Sequence, residues 1–242
     1  MRIALISDVH ANLPALEAVL ADIDGRQVDA TYHLGDLVGY APWPDEVVAR
    51  LAGMQGVAGN YDSTVGHRYK HCGCKYEDPK QEALSHESFA WTLEHTSEAT
   101  KAALRALPFR LDIRLSGGHE RGRTLCLVHG TPTLNTLYWT ADRDDAFARK
   151  MIAQAGLSAG DVLAFGHTHL PWTRVVDGVT LINTGSVGRP KDGDPRAGYV
   201  VMDGATVEYV RVAYDVAKAA NAVRASTLPA FFADYLERGG TP

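Results

Sequence analysis

The sequence has little cysteine: three in 242 residues, an odd number in a long chain. That excludes a disulfide framework as the source of stability. It has no apolar run near the ~20 residues that cross a bilayer. Its first ten residues, MRIALISDVH, have too short an apolar run for a signal peptide and no small-residue cleavage site. There is no basic excess either, since 24 Lys and Arg against 29 Asp and Glu leave a net charge of −5. Without clustered Lys or Arg, long nucleic acid is not an expected partner. Internal repeats and low-complexity segments are missing as well. These absences lead us to expect a soluble cytoplasmic protein with no membrane association, and they leave a homo-oligomer open. The remaining composition is ordinary, 45% hydrophobic and 22% charged, with enough chain to bury a large core.

Along the chain, Arg2 to Ser7 is a short apolar run of the type used by buried parallel strands. Asn12 can cap a helix that accepts Pro14 in its first turn, with Leu13, Leu16, Val19, Leu20 and Ile23 at helical spacing and Gly25 as the stop. Thr31 to Leu34 reads as a second strand, Asp45 to Met54 as a second helix, and Val57-Ala58 as a third strand. The alternation points to an α/β layer. Residues 63–108 interrupt it and read as an insertion in a single domain spanning 1–242. Within it, 67–80 is polar and loop-like. Gln81 to Leu107 reads as one helix, with Leu84, Phe89, Leu93, Ala103, Leu104 and Leu107 toward the core. Arg110 to Leu115 and Thr124 to Val128 flank a glycine-rich turn and form a hairpin. Strands follow at Val162 to Phe165, Thr180 to Asn183, Gly198 to Met202 and Thr206 to Val212, the last two joined by Asp203-Gly204.

The histidines and aspartates fall at the ends of these strands. Asp8 and His10 follow the first, Asp36 the second and Asn60 the third; His129 follows LCLV, and His167 and His169 follow VLAF. In open α/β sheets ligands bind outside the carboxyl ends of strands, so these side chains can converge on one crevice. A carboxylate, imidazole and amide set suits borderline divalent metals better than a thiolate zinc site does. Taken singly, a Gly-Asp is a turn, His129 before Gly130 ends a strand, and Asn60 in GNYDSTVG is turn chemistry. The pair in GHTH, 166–169, is more specific, and accidents would not all fall on the same strand ends.

In order, DVH at 8–10, GD at 35–36, GN at 59–60, HG at 129–130 and GHTH at 166–169 match the signature of the calcineurin-like metallophosphoesterases. The chain resembles that family from Met1 to about Asp203. NTGSVGRPKDGDPRAGY, 183–199, is similar to the loop of its small bacterial and archaeal phosphodiesterase branch. The resemblance implies a mixed α/β fold, a four-layer αββα sandwich of two mixed β-sheets flanked by helices. It implies two divalent metal ions (manganese, iron, zinc, nickel or cobalt). Asp8, His10, Asp36 and His169 hold one; Asp36, Asn60, His129 and His167 hold the other, with Asp36 bridging. The implied activity is hydrolysis of a phosphodiester or activated phosphomonoester by in-line attack of a metal-bridging hydroxide. The substrate would be a small phosphate ester, with a nucleotide included. The rival readings are a protein or nucleotide phosphatase and a non-catalytic scaffold, the latter disfavoured because all seven ligand positions are filled.

One position departs from the family pattern. Tyr61 stands where the resemblance expects a histidine general acid, a role typically worth ~10²–10⁴ in rate. Tyr61 is then a proton donor itself, a stacking wall for substrate, or a packing residue. Asp36 and Tyr61 are the catalytic candidates; Asn12, Tyr61, Ser186 and Arg189 are the substrate-binding ones. Asn12 has helix capping as its alternative, and Arg189 a solvated loop position. His33 reads as a core histidine and Cys126 as a small core residue. His67, His71, Cys72 and Cys74, in HRYKHCGCK, match no standard zinc spacing and read as part of a substrate-facing loop.

Overall fold

Inside the first strand, side chains alternate between two apolar layers: Ile3 and Leu5 enter one, Ala4 and Ile6 the other, and all four are fully buried. This is the pattern of a strand covered on both faces. The computed structural model describes residues 1–74, 78–115 and 122–240. In chain order the first elements are β1 (Arg2–Ile6), α1 (Leu13–Asp24), β2 (Ala30–His33), α2 (Pro44–Arg50), α3 (Asn60–Gly66), α4 (Pro79–His95) and α5 (Glu98–Ala106). Then come β3 (Leu111–Leu115), β4 (Arg123–Leu127), α6 (Asp145–Ala155), β5 (Val162–Phe165), β6 (Trp172–Val176) and β7 (Val179–Asn183). The chain ends with β8 (Ala197–Asp203), β9 (Thr206–Val212), α7 (Val216–Ala225) and α8 (Phe231–Glu237).

Two mixed sheets result, ordered β2-β1-β8-β9 and β3-β4-β5-β7-β6. Ile3, Leu5, Val200 and Met202 of the first meet Leu125, Leu127, Val162, Ala164 and Ile182 of the second in a layer between the sheets. On the outer face of the first sheet, Ala4, Ile6, Tyr199 and Val201 pack under α1, α7 and α8. On the outer face of the second, Cys126, Leu163, Phe165 and Leu181 pack under α6. Helix, sheet, sheet, helix is the four-layer sandwich expected. β1 runs parallel to β2, and β4 parallel to β5, so the carboxyl ends within each pair open on the same side.

Several expectations need correction. The third strand reduces to one bridge between His33 and Gly56, because Ala58 N–H donates to Pro108 O and Gly59 N–H to the Asp62 carboxylate. Asn60 is therefore not in a turn but opens α3. The second helix stops at Arg50 rather than Met54, with Gly53 at φ +86° just beyond. The single helix 81–107 is two, α4 and α5, separated where Ser97 caps Thr100 N–H. Ala103 is exposed, while Leu104 beside it is 1% exposed and in the core. The glycine-rich turn at 116–121 and residues 75–77 of the polar loop lie outside the described residues. Among the described residues, no helix is long and apolar enough to cross a membrane.

Candidate metal centre

Asp8 and His10 leave β1, Asp36 leaves β2, His129 leaves β4, His167 and His169 leave β5, and Asn60 is the first residue of α3. None of the seven is more than 3% exposed. The loops are stitched to one another through their backbones. Asp8 N–H donates to Gly35 O at 2.9 Å, His10 N–H to Asp36 O at 2.9 Å, and Gly166 N–H to His129 O at 2.8 Å. Five of the seven have positive φ: Asp8 at 53°, His10 at 49°, Asp36 at 52°, His167 at 66° and His169 at 62°. Non-glycine residues there cost about 1–3 kcal/mol each and persist where surrounding structure forces them. Two glycines permit the close approach. A Cβ on Gly59 would lie 2.0 Å from Asp36 Oδ1, and one on Gly166 would lie 2.3 Å from Asp8 Oδ2.

The ligand-type atoms form two groups, Asp8 with His10 and His169, and Asp36 with His129 and His167, each gathered within 4.8 Å. Asp36 Oδ2 lies between them, 3.7 Å from His10 Nε2 and 3.4 Å from His129 Nε2. Asn60 joins the second group with its amide oxygen 3.2 Å from His129 Nε2, while its NH₂ donates to Cys72 O and Cys74 Sγ. Asp8 Oδ2 accepts from Ser7 Oγ and from His167 N–H. Asp8 Oδ1 is buried with no hydrogen-bond partner and sits 3.2 Å from His169 Nε2.

The imidazoles test whether a cation fits. A carbonyl can only accept, so the Nδ1 atoms facing Val38 O (His10, 3.1 Å), Leu34 O (His129, 2.8 Å) and Arg189 O (His169, 2.6 Å) carry protons. Burial, and then His169, push His10 down to about 3. Burial also holds His169 well below the usual imidazole value. Both Nε2 atoms are therefore bare, yet they face each other at 3.1 Å. Two lone pairs that close repel unless a cation lies between them. Two nitrogens each ~2.1 Å from one ion are about 3 Å apart at a right angle. His129 Nε2 and His167 Nδ1 stand 3.2 Å apart in the second group. There burial opposes protonation of His129, but the Asp36 carboxylate outweighs it and lifts His129 to about 10. That proton occupies the position a second cation would take. The donor set and its geometry fit two divalent ions.

The remaining candidates divide. Tyr61 is 1% exposed, with its ring edge-on to His10 at 5.7 Å, tilted on Tyr40 at 5.0 Å and edge-on to Phe89 at 5.7 Å. A Cβ on Gly39 would sit 2.6 Å from the Tyr61 ring, so it is packed on that side too. Asn12 is fully buried; its amide accepts from Ala15 N–H and donates to Gly188 O and Tyr214 Oη. It caps α1, the alternative held for it. Ser186 Oγ donates to Asp8 O and accepts from Arg189 N–H, which ties the 183–199 loop to the segment after β1. Arg189 lines a cleft beside the centre. His33 and Cys126 are buried. His67 and His71 are exposed and join no metal-ligating group among the described residues.

Sequence reasoning missed three contributors. Asp62, fully buried, accepts Leu37 N–H at 2.8 Å and Gly59 N–H at 2.9 Å, tying the segments that carry Asp36 and Asn60. Its signal was the last letter of GNYD. Tyr138 stacks on His167 at 4.3 Å, and Lys191 lies near its ring; neither had a local signature.

A four-layer sandwich with two carboxylate–imidazole groups at its strand ends is a scaffold that could hold metal ions, and sequence comparison supplies the family. The model of the calcineurin-like phosphoesterase superfamily domain matches residues 1–206, and the chain belongs to that superfamily. An uncharacterised protein of Methanocaldococcus jannaschii is 30% identical over 260 residues, covering 98% of each chain. A solved metallophosphoesterase from Sphaerobacter thermophilus is 29% identical, covering 99% of each chain, with a TM-score of 0.77. A hypothetical protein from Pyrococcus horikoshii shares the fold at 20% identity and a TM-score of 0.81, covering 99% of this chain and 98% of that one.

Proposed function

We propose that the chain is a dimetal phosphoesterase that hydrolyses a phosphodiester or an activated phosphomonoester, with the diester preferred. The carrying observation is the pair of bare Nε2 atoms of His10 and His169 facing each other at 3.1 Å beside the unpartnered Asp8 Oδ1. Asp8, His10, Asp36 and His169 would hold one ion, and Asp36, Asn60, His129 and His167 the other. Two such ions neutralise the charge of a phosphoryl group and lower the pKa of water at neutral pH.

The chain's own residues supply orientation. His10, His129 and His169 are tied to carbonyls through Nδ1, which commits them to presenting Nε2 rather than moving protons. Asp62 holds the Asp36 and Asn60 segments together through two backbone N–H groups. Tyr61, wedged among His10, Tyr40 and Phe89, braces the His10 ring. A tyrosine used for packing leaves the departing oxygen without a dedicated proton donor, and this disfavours esters whose leaving groups are strong bases.

The test is hydrolysis of paired aryl substrates, a phosphate monoester and a diester, by protein supplied with manganese, iron, zinc, nickel or cobalt. The diester should be the faster, and Asp36→Asn should abolish both activities. Survival of either in that variant would remove Asp36 from its bridging role. High turnover on a serine phosphate peptide would favour a protein phosphatase instead.

A further inference from the structure

A cavity of about 340 Å³ lies between α2, the turn that follows it and α5, and none of the seven candidate metal ligands lines it. Its size is within the ~300–1,000 Å³ typical of small-molecule sites. The floor is buried and apolar, made by Leu37, Leu51 and Leu104 together with His33 at the end of β2. Ala52, Ala99 and Ala103 line the exposed mouth, and side chains this small leave it open. Among the described residues, no Asp, Glu, Lys or Arg lines the cavity. Burial lowers His33 to about 4, so its ring is neutral at neutral pH. Polar groups are few. The Thr100 hydroxyl accepts from Ser97 Oγ at 3.1 Å. The His33 imidazole has no hydrogen bond, ion pair or ring contact among the described residues. Its Nδ1 is shut against Gly56, where a Cβ would stand 2.4 Å away. Nε2 is the nitrogen left for an occupant of the cavity.

Buried polar groups in folded proteins normally have a hydrogen-bond partner, so an apolar chamber that ends on an unpaired imidazole constrains what fills it. A phosphate or carboxylate would lose its hydration there with no cation to replace it. That excludes the phosphate esters of the metal centre and their products. A hydroxyl both donates and accepts, so it satisfies a neutral imidazole in either tautomer. At ~30 Å³ for each water-sized group, the space holds roughly ten heavy atoms. We propose that this cavity binds a small uncharged alcohol or phenol of that size. Its hydrocarbon body lies among Leu37, Leu51 and Leu104, and its hydroxyl pairs with His33. The site is separate from the metal centre and does not depend on the phosphoesterase reading.

The experiment titrates the full chain at neutral pH with 4-ethylphenol, ethylbenzene and 4-ethylbenzoate, which share a ring and an ethyl group. Ligand-observed NMR reads binding to wild type, His33→Phe and Ala103→Trp, and thermal melting shows which variants are folded. Wild type should bind 4-ethylphenol with a Kd of about 1 mM or below. Ethylbenzene should bind about fivefold more weakly, for the loss of one neutral hydrogen bond. 4-Ethylbenzoate should not bind, for want of a cation. His33→Phe should bring the phenol and the hydrocarbon to equal affinity. Ala103→Trp fills the mouth from an exposed position, and should abolish uptake of both even if His33→Phe does not fold. Equal affinity of wild type for phenol and hydrocarbon would overturn the proposal. So would benzoate binding as tight as the phenol's, uptake that survives Ala103→Trp, or no uptake of the phenol by wild type at ~5 mM. A wild-type dimer that Ala103→Trp dissociates, with no uptake of the phenol, would give the groove to a second copy of the chain instead.

Discussion

Acid should destabilise this protein through one histidine outside the metal centre. His33, the last residue of β2, is 1% exposed, and its Nδ1 is buried without a hydrogen-bond partner. A Cβ on the facing Gly56 would lie 2.4 Å from the ring, so the imidazole packs directly against that backbone. Burial lowers His33 from 6.5 to about 4. In the unfolded chain the imidazole takes its proton near 6.5; in the folded chain it refuses it until about 4. Stability from the neutral ring is therefore complete above pH 6.5 and is lost as pH falls toward 4. The gap of 6.5 − 4, about 2.5 units, corresponds to roughly 3 kcal/mol. His33→Phe keeps a ring of similar size and removes the titration. Urea unfolding of both proteins, with chelator present and pH stepped from 7.5 to 4.5, isolates the effect. The buried His10, His167 and His169 are common to both and cancel in the difference. The variant's stability relative to wild type should rise by about 2–3 kcal/mol across that range. A difference that stays flat with pH would mean His33 is not held neutral, and the reasoning from its burial would fail.

Two further outcomes test the packing around the centre. Gly59→Ala places a Cβ 2.0 Å from Asp36 Oδ1 and 2.2 Å from Asp36 N; a loss of about 1–3 kcal/mol or more is expected, together with weaker metal binding by calorimetric titration. Unchanged melting and unchanged metal affinity would refute that close approach. Tyr61→Phe should hold the rate on an aryl diester within about threefold, since it keeps the ring that packs edge-on to His10; a drop of ~10² or more would return Tyr61 to the role of proton donor.

The candidate ligand residues were legible because of where they sit in the chain. A short buried strand such as Ile3 to Ile6 announces itself by apolar content, and a polar residue just after it is at a strand end whatever the rest of the fold does. Asn12 with Pro14 signalled the start of α1 for a similarly local reason. α3 was not legible, because Gly59-Asn60-Tyr61-Asp62-Ser63-Thr64 is turn-type sequence. It becomes helical through contacts that propensity does not count. Asp62 accepts Gly59 N–H at 2.9 Å, Ser63 Oγ donates to Gly59 O at 2.8 Å, and Thr64 Oγ1 donates to Asn60 O at 2.6 Å. Once the helix forms, Tyr61 has no solvent side.

The cleft beside the candidate metal centre was further out of reach of sequence reading, for a different reason. Tyr138 lies in the connection between β4 and α6, Lys191 in the loop before β8, and Phe231 in α8. They share neither periodicity nor spacing, and meet only because the two sheets turn their carboxyl ends to one side and α8 packs over the loop at Arg189. A metal centre needs ligands at fixed distances from one point, which favours rigid strand ends and leaves a motif. A specificity pocket needs only surfaces of the right charge and shape, which any nearby loop can supply. The chemistry of the superfamily is thus written in DVH, GD, GN, HG and GHTH.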